Sequence, residues 1–332
     1  MQHVNSFRAF LRETVNLSKA KLDILDSRVE SVYQALQDDA ELGPLILGKE
    51  PQGSWAHHTI INPVGDKEFD ADFMLHLTEV PEWADSPKTY IDKVYGALHR
   101  HSVYGKMPHT RKCRCVQLKY ANSMHVDIVP HLFLADGREV IVNRDGNCWE
   151  ETNPEGFTAW MREKDNIAEG NLRKVVRLMK FLRDHKGSFT GTRSIILTTL
   201  LGERVSQATA LAHPGCYGNV PTALLTIVED LDLWLQAHPD KPSIADPSGS
   251  GATFDHRWDQ ATYNYFRARI HTHAQEIRAA YDEQDPDRSV RLWRNLFGDS
   301  FPSLPGTSSS STASKFAAAT LLTTAARPGR AG

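Results

Sequence analysis

The chain reads as an α/β protein of the α+β kind, with a twisted mixed-sheet lobe first and a helical lobe second. Three observations carry that reading. Phe69 to Leu77, FDADFMLHL, alternates with the period of a strand. Hairpin signals follow it as far as Asn143. After Asn153-Pro154 the apolar residues recur instead at three-four spacing, the period of a helix with one buried face.

The elements follow in order. Residues from about Asn5 to Leu36 read as one long helix, with Leu22, Leu25, Val29, Val32 and Leu36 on a single stripe. Leu45 to Gly53 reads as strand and turn. Asn62-Pro63 and Gly65-Asp66 mark the loop before the acidic strand. Pro87 to Tyr104 is expected to be helical. Cys113 to Tyr120 alternates as a strand, turns at Ala121-Asn122-Ser123 and returns over Met124 to Pro130. Leu132 to Asn143 forms a further hairpin around Asp136-Gly137. Helices are expected over Asn171 to His185, Thr192 to Leu201, Thr222 to Ala237 and Asp259 to Asp282. This divides the chain into 1–160, a sheet lobe with its long N-terminal helix, and 161–301, a helical lobe. Residues 302–332 are mostly Ser, Thr, Ala, Gly and Pro with no acid after Asp299, a composition that predicts a disordered tail.

Composition narrows the function classes. The 332 residues suffice for two cores, and 40% hydrophobic with 24% charged residues is ordinary for a globular chain. A net charge of -3 argues against a long nucleic acid as partner, which selects for a basic surplus. The N-terminal segment is amphipathic and lacks the apolar stretch of a signal peptide, and no run approaches a membrane span. Cys113, Cys115, Cys148 and Cys216 form no C-x-x-C pair and match no standard zinc spacing, even with His57 and His58 counted. A cytoplasmic protein with reduced thiols is the expectation.

The acidic strand poses the chemical question. Asp70 and Asp72 share one face of it, where two carboxylates repel unless something neutralises them. They do not stand alone. QGSWAHHT upstream puts Gly53-Ser54 at a turn, and HVDIVP downstream puts Asp127 opposite Val126 and Ile128 on another strand. Nucleotidyl transfer from a triphosphate explains the set. It uses two Mg²⁺ ions about 4 Å apart that clamp the attacking and leaving oxygens, and Mg²⁺ takes hard oxygen ligands. Three carboxylates on adjacent strands can hold such ions. A Gly-Ser turn lets backbone N–H groups and a hydroxyl approach phosphates closely.

The order Gly-Ser, D-x-D, Asp resembles the polymerase-β-like nucleotidyltransferase superfamily. Within it, QGS, EFDADFM and HVDIVP resemble the cGAS/DncV-like nucleotidyltransferases (CD-NTases) of bacterial anti-phage systems. NLRKVVRLMKFLRDHKG, RSIILTTLL and LWRNLFGDSFP extend the resemblance over most of residues 5–302, although the loop between Ser54 and Asp70 is longer than the minimal superfamily pattern. The resemblance implies a nucleotidyltransferase lobe facing a helical lobe across a cleft. It implies that Asp70, Asp72 and Asp127 bind Mg²⁺, with Mn²⁺ as a substitute, and that Asp127 helps deprotonate the attacking hydroxyl. Gly53 and Ser54 would hold the β- and γ-phosphates. Lys180, which shares a helix face with Arg173, Arg177 and Asp184 opposite the apolar stripe, would neutralise the leaving pyrophosphate; the residues alone equally permit a solvated basic face. Ser194 would contact the same phosphates, His57 would stack on a base, and Asp246, in the loop ADPSGSGATFDHRW, would lie near the acceptor nucleotide.

The expected substrates are NTPs, ATP among them. The expected product is a cyclic di- or trinucleotide messenger that switches on a separate effector. The terminal ARPGRAG reads as a plain disordered end, while the resemblance implies the alternative that an operon-encoded partner conjugates Gly332. Three other readings stay open at this level: a linear oligonucleotide or RNA-tailing synthase, an enzyme that places a nucleotide on a small molecule or protein, and a non-catalytic nucleotide sensor.

Overall fold

Alternating apolar and polar residues build a seven-stranded sheet in the computed structural model, which describes residues 1–303 except 66, 122, 123 and 255–257. The tail expected to be disordered, with Gly332, lies outside the described residues from 304 onward. The strands are β1 (Ile46–Gln52), β2 (Phe69–Leu77), β3 (His109–Arg111), β4 (Val116–Tyr120), β5 (Met124–Phe133), β6 (Glu139–Asn143) and β7 (Cys148–Glu151). Their order is β1-β2-β5-β4-β3, with β6 paired to the far end of β5 and β7 to β6. Only β2 and β5 run parallel, and their register sets Asp72 directly beside Asp127.

Period two decides what the sheet's faces meet. Ala71, Phe73, Leu75, Val126 and Ile128 are wholly buried on one face. They pack with Leu25, Val29 and Val32 of α2 (Lys19–Gln37) and with Tyr90, Ile91 and Val94 of α4 (Lys88–Arg100). The other face carries the acids and looks toward the helical lobe.

The expected single helix over residues 5–36 is instead two. α1 (Val4–Phe10) runs into a wider π turn over Leu11–Val15, and the chain then extends at Asn16 before Ser18 caps α2 by accepting from the Lys21 N–H. The break has a physical cause. Asn16 pairs in antiparallel fashion with Ile61, and the Asn62 N–H donates to the Val15 carbonyl, so the chain here serves a loop rather than a helix ladder. The two halves also serve different cores. Phe7, Phe10, Leu11 and Val15 sit in the helical core, whereas Leu25 to Leu36 lie under the sheet.

The helical core is built by α5 (Pro154–Ile167), α6 (Leu172–Lys186), α7 (Ser194–Glu203), α9 (Val220–Ala237), α10 (Gln260–Asp282) and α11 (Pro286–Phe297), with a short α8 (Gln207–Ala212). Side chains of Asn153, Asn219, Asp259 and Asp285 cap α5, α9, α10 and α11. The other expected helices are found within a few residues of their expected ends; β3, β7, α5, α8 and α11 are additions. No described helix is long and apolar enough to cross a membrane.

Phe10 ties the N-terminus to this lobe through rings of Phe181, Phe297 and Phe301 at centroid distances of 5.2, 5.5 and 5.4 Å. Phe10→Ala is expected to destabilise the protein by about 3–5 kcal/mol, the usual cost of emptying a buried ring site, and urea unfolding followed by circular dichroism measures it.

Candidate active site

The site begins where β1 ends. Gly53 has φ +61°, a left-handed conformation that favours glycine, and it opens the one-turn helix α3 (Gly53–Ala56) carrying Ser54. Space demands glycine as well: a Cβ here would stand 2.6 Å from the Asp72 carboxylate. The turn therefore lies hard against the acidic strand.

Asp70 and Asp72 project from β2 into the cleft between the lobes, and Asp127 projects beside Asp72 from β5. Gln117 on β4 donates from Nε2 to Asp127 Oδ1 at 3.0 Å. Desolvation first, and then the Asp70 and Asp127 charges, push the Asp72 carboxyl well above the usual carboxylate range, while Lys180 pulls the other way. Desolvation also raises Asp127, opposed by His125 and by hydrogen bonds from Gln117 and Cys115. The fold thus concentrates negative charge where solvent cannot disperse it.

Lys180 is not on a solvated face. It is 5% exposed at the junction of the lobes, and Nζ donates to the Thr59 carbonyl at 3.1 Å and reaches Thr59 Oγ1 at 3.4 Å. Burial lowers its pKa to about 8, despite the opposing pull of Asp70. Arg177 takes a parallel role, with Nη1 donating to the His58 carbonyl at 2.8 Å. Arg173, expected on the same face, pairs with Asp165 at 2.9 Å.

Ser194 opens α7 and lines the same cleft, its Oγ accepting from Arg183 Nη1 at 3.2 Å. His57 is buried, because the turn folds it under α5. Its ring meets Phe157 at a tilted 4.8 Å, and burial lowers its pKa to about 4. Asp246 lies in an adjoining pocket, but its carboxylate is engaged by its own loop: Oδ1 accepts from the Ser248 N–H and Oδ2 from Ser250 Oγ. It shapes that loop.

Two hollows result. One, of about 350 Å³, brings together Ser54, Asp70, Lys180 and Ser194. The other, of about 440 Å³, is floored by Phe157 and Phe254 and edged by Asn153 and Asp246. Gly53, His57, Asp72 and Ile195 border both, so the Asp72 carboxylate stands where the hollows meet. Sequence reasoning missed Lys67 and Arg183 in the first, Phe157 and Phe254 in the second, and Gln117 behind Asp127. Only Gln117 carried a local signal, since it alternates on the strand that hairpins onto HVDIVP.

Among the described residues, no three or more His, Cys, Asp or Glu side chains converge as a closed metal cage. The arrangement nonetheless fits ions of the Mg²⁺ type. Such ions use one or two carboxylates, several waters and substrate phosphates rather than an all-protein cage. The raised Asp72 carboxyl marks where a positive charge would be most stabilised.

Residues 1–165 match the model of the Second Messenger Oligonucleotide or Dinucleotide Synthetase (SMODS) domain. A c-di-GMP synthase of Roseivirga ehrenbergii is 27% identical, over 88% of this chain and 83% of its own length. A cyclic AMP-AMP-AMP synthase of an Acinetobacter species is 24% identical, over 66% of this chain and 61% of its own. In fold, the Bradyrhizobium diazoefficiens CD-NTase CdnG solved with GTP superposes with a TM-score of 0.70 at 18% identity, over 90% of this chain and 96% of that one. Vibrio cholerae DncV with the linear intermediate pppA(3′,5′)pG gives 0.70 at 14% identity, over 90% and 97%.

Two outcomes follow from the charges. Asp72→Asn is expected to raise the melting temperature of the ligand-free protein at neutral pH, because a carboxyl raised in the folded state burdens the fold once it ionises. The same variant is expected to lose the stabilisation that millimolar Mg²⁺ gives the parent; differential scanning fluorimetry reads both. For Lys180, the sign is opposite to an acid's. The ammonium is the form that attracts phosphate, so NTP affinity is expected to fall as pH rises through about 8, and Lys180→Met is expected to abolish that inflection in a binding titration.

Proposed function

Given that this chain belongs to the cGAS/DncV-like nucleotidyltransferases, we propose that it joins NTPs into a cyclic di- or trinucleotide second messenger and releases pyrophosphate. The observation that carries this reading is the pair of hollows sharing one carboxylate border. A donor triphosphate in the first would lie against Ser54, Lys180 and Ser194. An acceptor nucleotide in the second would rest its base on Phe157 and Phe254 beside the buried His57. Its ribose hydroxyl would then face the donor α-phosphate across the carboxylate border.

Asp127 suits the proton transfer. Desolvation raises its carboxyl and so makes it a better proton acceptor than a free aspartate, and the Gln117 hydrogen bond fixes its direction. As the hydroxyl oxygen bonds to the α-phosphorus, the bond to the β-phosphate oxygen breaks and pyrophosphate departs. Lys180 opposes the charge that accumulates on the departing group. Because it is nearly dry, its charge acts at full strength there. Asp70, Asp72 and Asp127 would hold Mg²⁺, or Mn²⁺ in its place, which supplies charge neutralisation for the phosphates. A linear product seated with its free hydroxyl and its triphosphate in exchanged hollows would close the ring by the same chemistry. Asp246 would contribute by holding the wall of the acceptor hollow.

The product class of the relatives, cyclic dinucleotide in one and cyclic trinucleotide in another, supports the same product class here. The messenger would act through a separate effector in anti-phage defence, and conjugation of Gly332 by an operon partner would be a further layer.

Incubation with all four labelled NTPs and Mg²⁺, phosphatase treatment and mass spectrometry test the reading. A phosphatase-resistant species with the mass of a cyclic oligonucleotide, absent with Asp70→Asn/Asp72→Asn, is expected and identifies the bases. Phosphatase-sensitive ladders would replace it with linear polymerisation.

A further inference from the structure

Lys67 and Asp184 meet across the mouth of the donor hollow. Lys67 stands on the loop between α3 and β2, on the sheet lobe, and its Nζ lies 2.6 Å from Asp184 Oδ1 on α6 of the helical lobe. The same oxygen accepts from Arg183 Nε at 2.9 Å. Asp184 is therefore one carboxylate holding two cations, and its side chain is only 8% exposed. Lys67, Arg183 and Asp184 all line the hollow that contains Ser54, Lys180 and Ser194.

The partners differ in how firmly they are tied. Arg183 is 14% exposed and has further acceptors in the Thr192 carbonyl and Ser194 Oγ. It stays in place whatever Asp184 does. Lys67 is 44% exposed, carries its ammonium on a long flexible side chain, and pairs with Asp184 within the donor hollow. An ion pair whose cation sits in solvent on a flexible stem is weakly held. A polyphosphate presents several charged oxygens in the same hollow, so it can outcompete one shared carboxylate for a mobile ammonium.

We propose that Lys67 is a nucleotide-binding residue, and that Asp184 holds it in reserve until a donor triphosphate takes its place. Asp184 is then a built-in competitor for the phosphate tail: it keeps the cation at the pocket mouth when no nucleotide is present and sets a threshold on triphosphate affinity. This inference rests on the donor role proposed for the hollow and adds to it the cation that recognises the tail.

Equilibrium titration with a non-hydrolysable α,β-methylene NTP and with the matching nucleoside monophosphate tests it. Lys67→Ala is expected to weaken triphosphate binding about tenfold, the scale of one charge-assisted hydrogen bond, while leaving the monophosphate and the melting temperature unchanged. Lys67→Arg is expected to restore most of the loss. Asp184→Asn is expected to tighten triphosphate binding several-fold, and Lys67→Ala/Asp184→Asn is expected to lose that gain, since the competition needs both partners. Equal triphosphate affinity in Lys67→Ala and the parent, or an equal loss for both ligands, overturns the assignment of Lys67 while the donor role stands. A gain in Asp184→Asn that persists without Lys67 overturns the competition. A parent protein that binds no triphosphate in this hollow overturns the donor role and this inference together.

Discussion

Like charge held out of water is the constraint around which this molecule is arranged. Parallel pairing of β2 with β5 sets Asp72 beside Asp127, with Asp70 on the same face, and the Gly53 turn closes over Asp72 so tightly that no side chain fits between. Left to itself such a cluster favours protonation, as the raised Asp72 and Asp127 carboxyls attest. Nearby cations and a hydrogen-bond donor moderate it. Lys180 is brought from the opposite lobe, Gln117 donates to Asp127, and Lys67 and Arg183 share the Asp184 carboxylate at the cleft mouth. The local structure is less stable than an apolar design would be, and the deficit is what a divalent cation arriving with a triphosphate would fill.

The lobes are coupled through backbone as much as side chain. The turn that carries Gly53 and Ser54 continues into residues 57–62. There Lys180 holds Thr59, Arg177 holds His58, and the break between α1 and α2 pairs with Ile61. One short segment of the sheet lobe is thereby gripped by α6 on one side and by the N-terminal crossing on the other. Reaction geometry depends on distances near 3 Å. A segment pinned at several points can hold the Gly53-Ser54 turn to that tolerance, whereas a free loop of the same length could not.

Legibility differed between residues for physical reasons. Asp70, Asp72 and Asp127 could be found because a strand has period two, and an acid inside an apolar alternation is visible at once. Gly53-Ser54 could be found because a tight turn after a strand restricts residue type. Lys180 was visible as a cation at a suitable helical position, but its burial was not, because an amphipathic pattern distinguishes the faces of one helix without naming the neighbour that covers each face. The burial of His57 was not legible for the same reason: Phe157, more distant in sequence, covers it. Lys67, Arg183 and Phe254 carry no local signature at all, and they belong to the site only because the lobes face each other.

The long helix expected over residues 5–36 shows the limit most directly. Its periodicity is sound in each half, yet an extended residue at Asn16 sends α1 to one core and α2 to the other. Sequence by itself determined what local rules can encode: the strand and helix types, the acidic face, the turn, and through them the class of chemistry. Tertiary structure alone decided which charges are dry, which cations oppose them, and that two hollows share one border. Those are properties of packed neighbours. Burial shifts a carboxyl or an ammonium according to everything around it, and most of what surrounds Asp72 and Lys180 comes from distant parts of the chain.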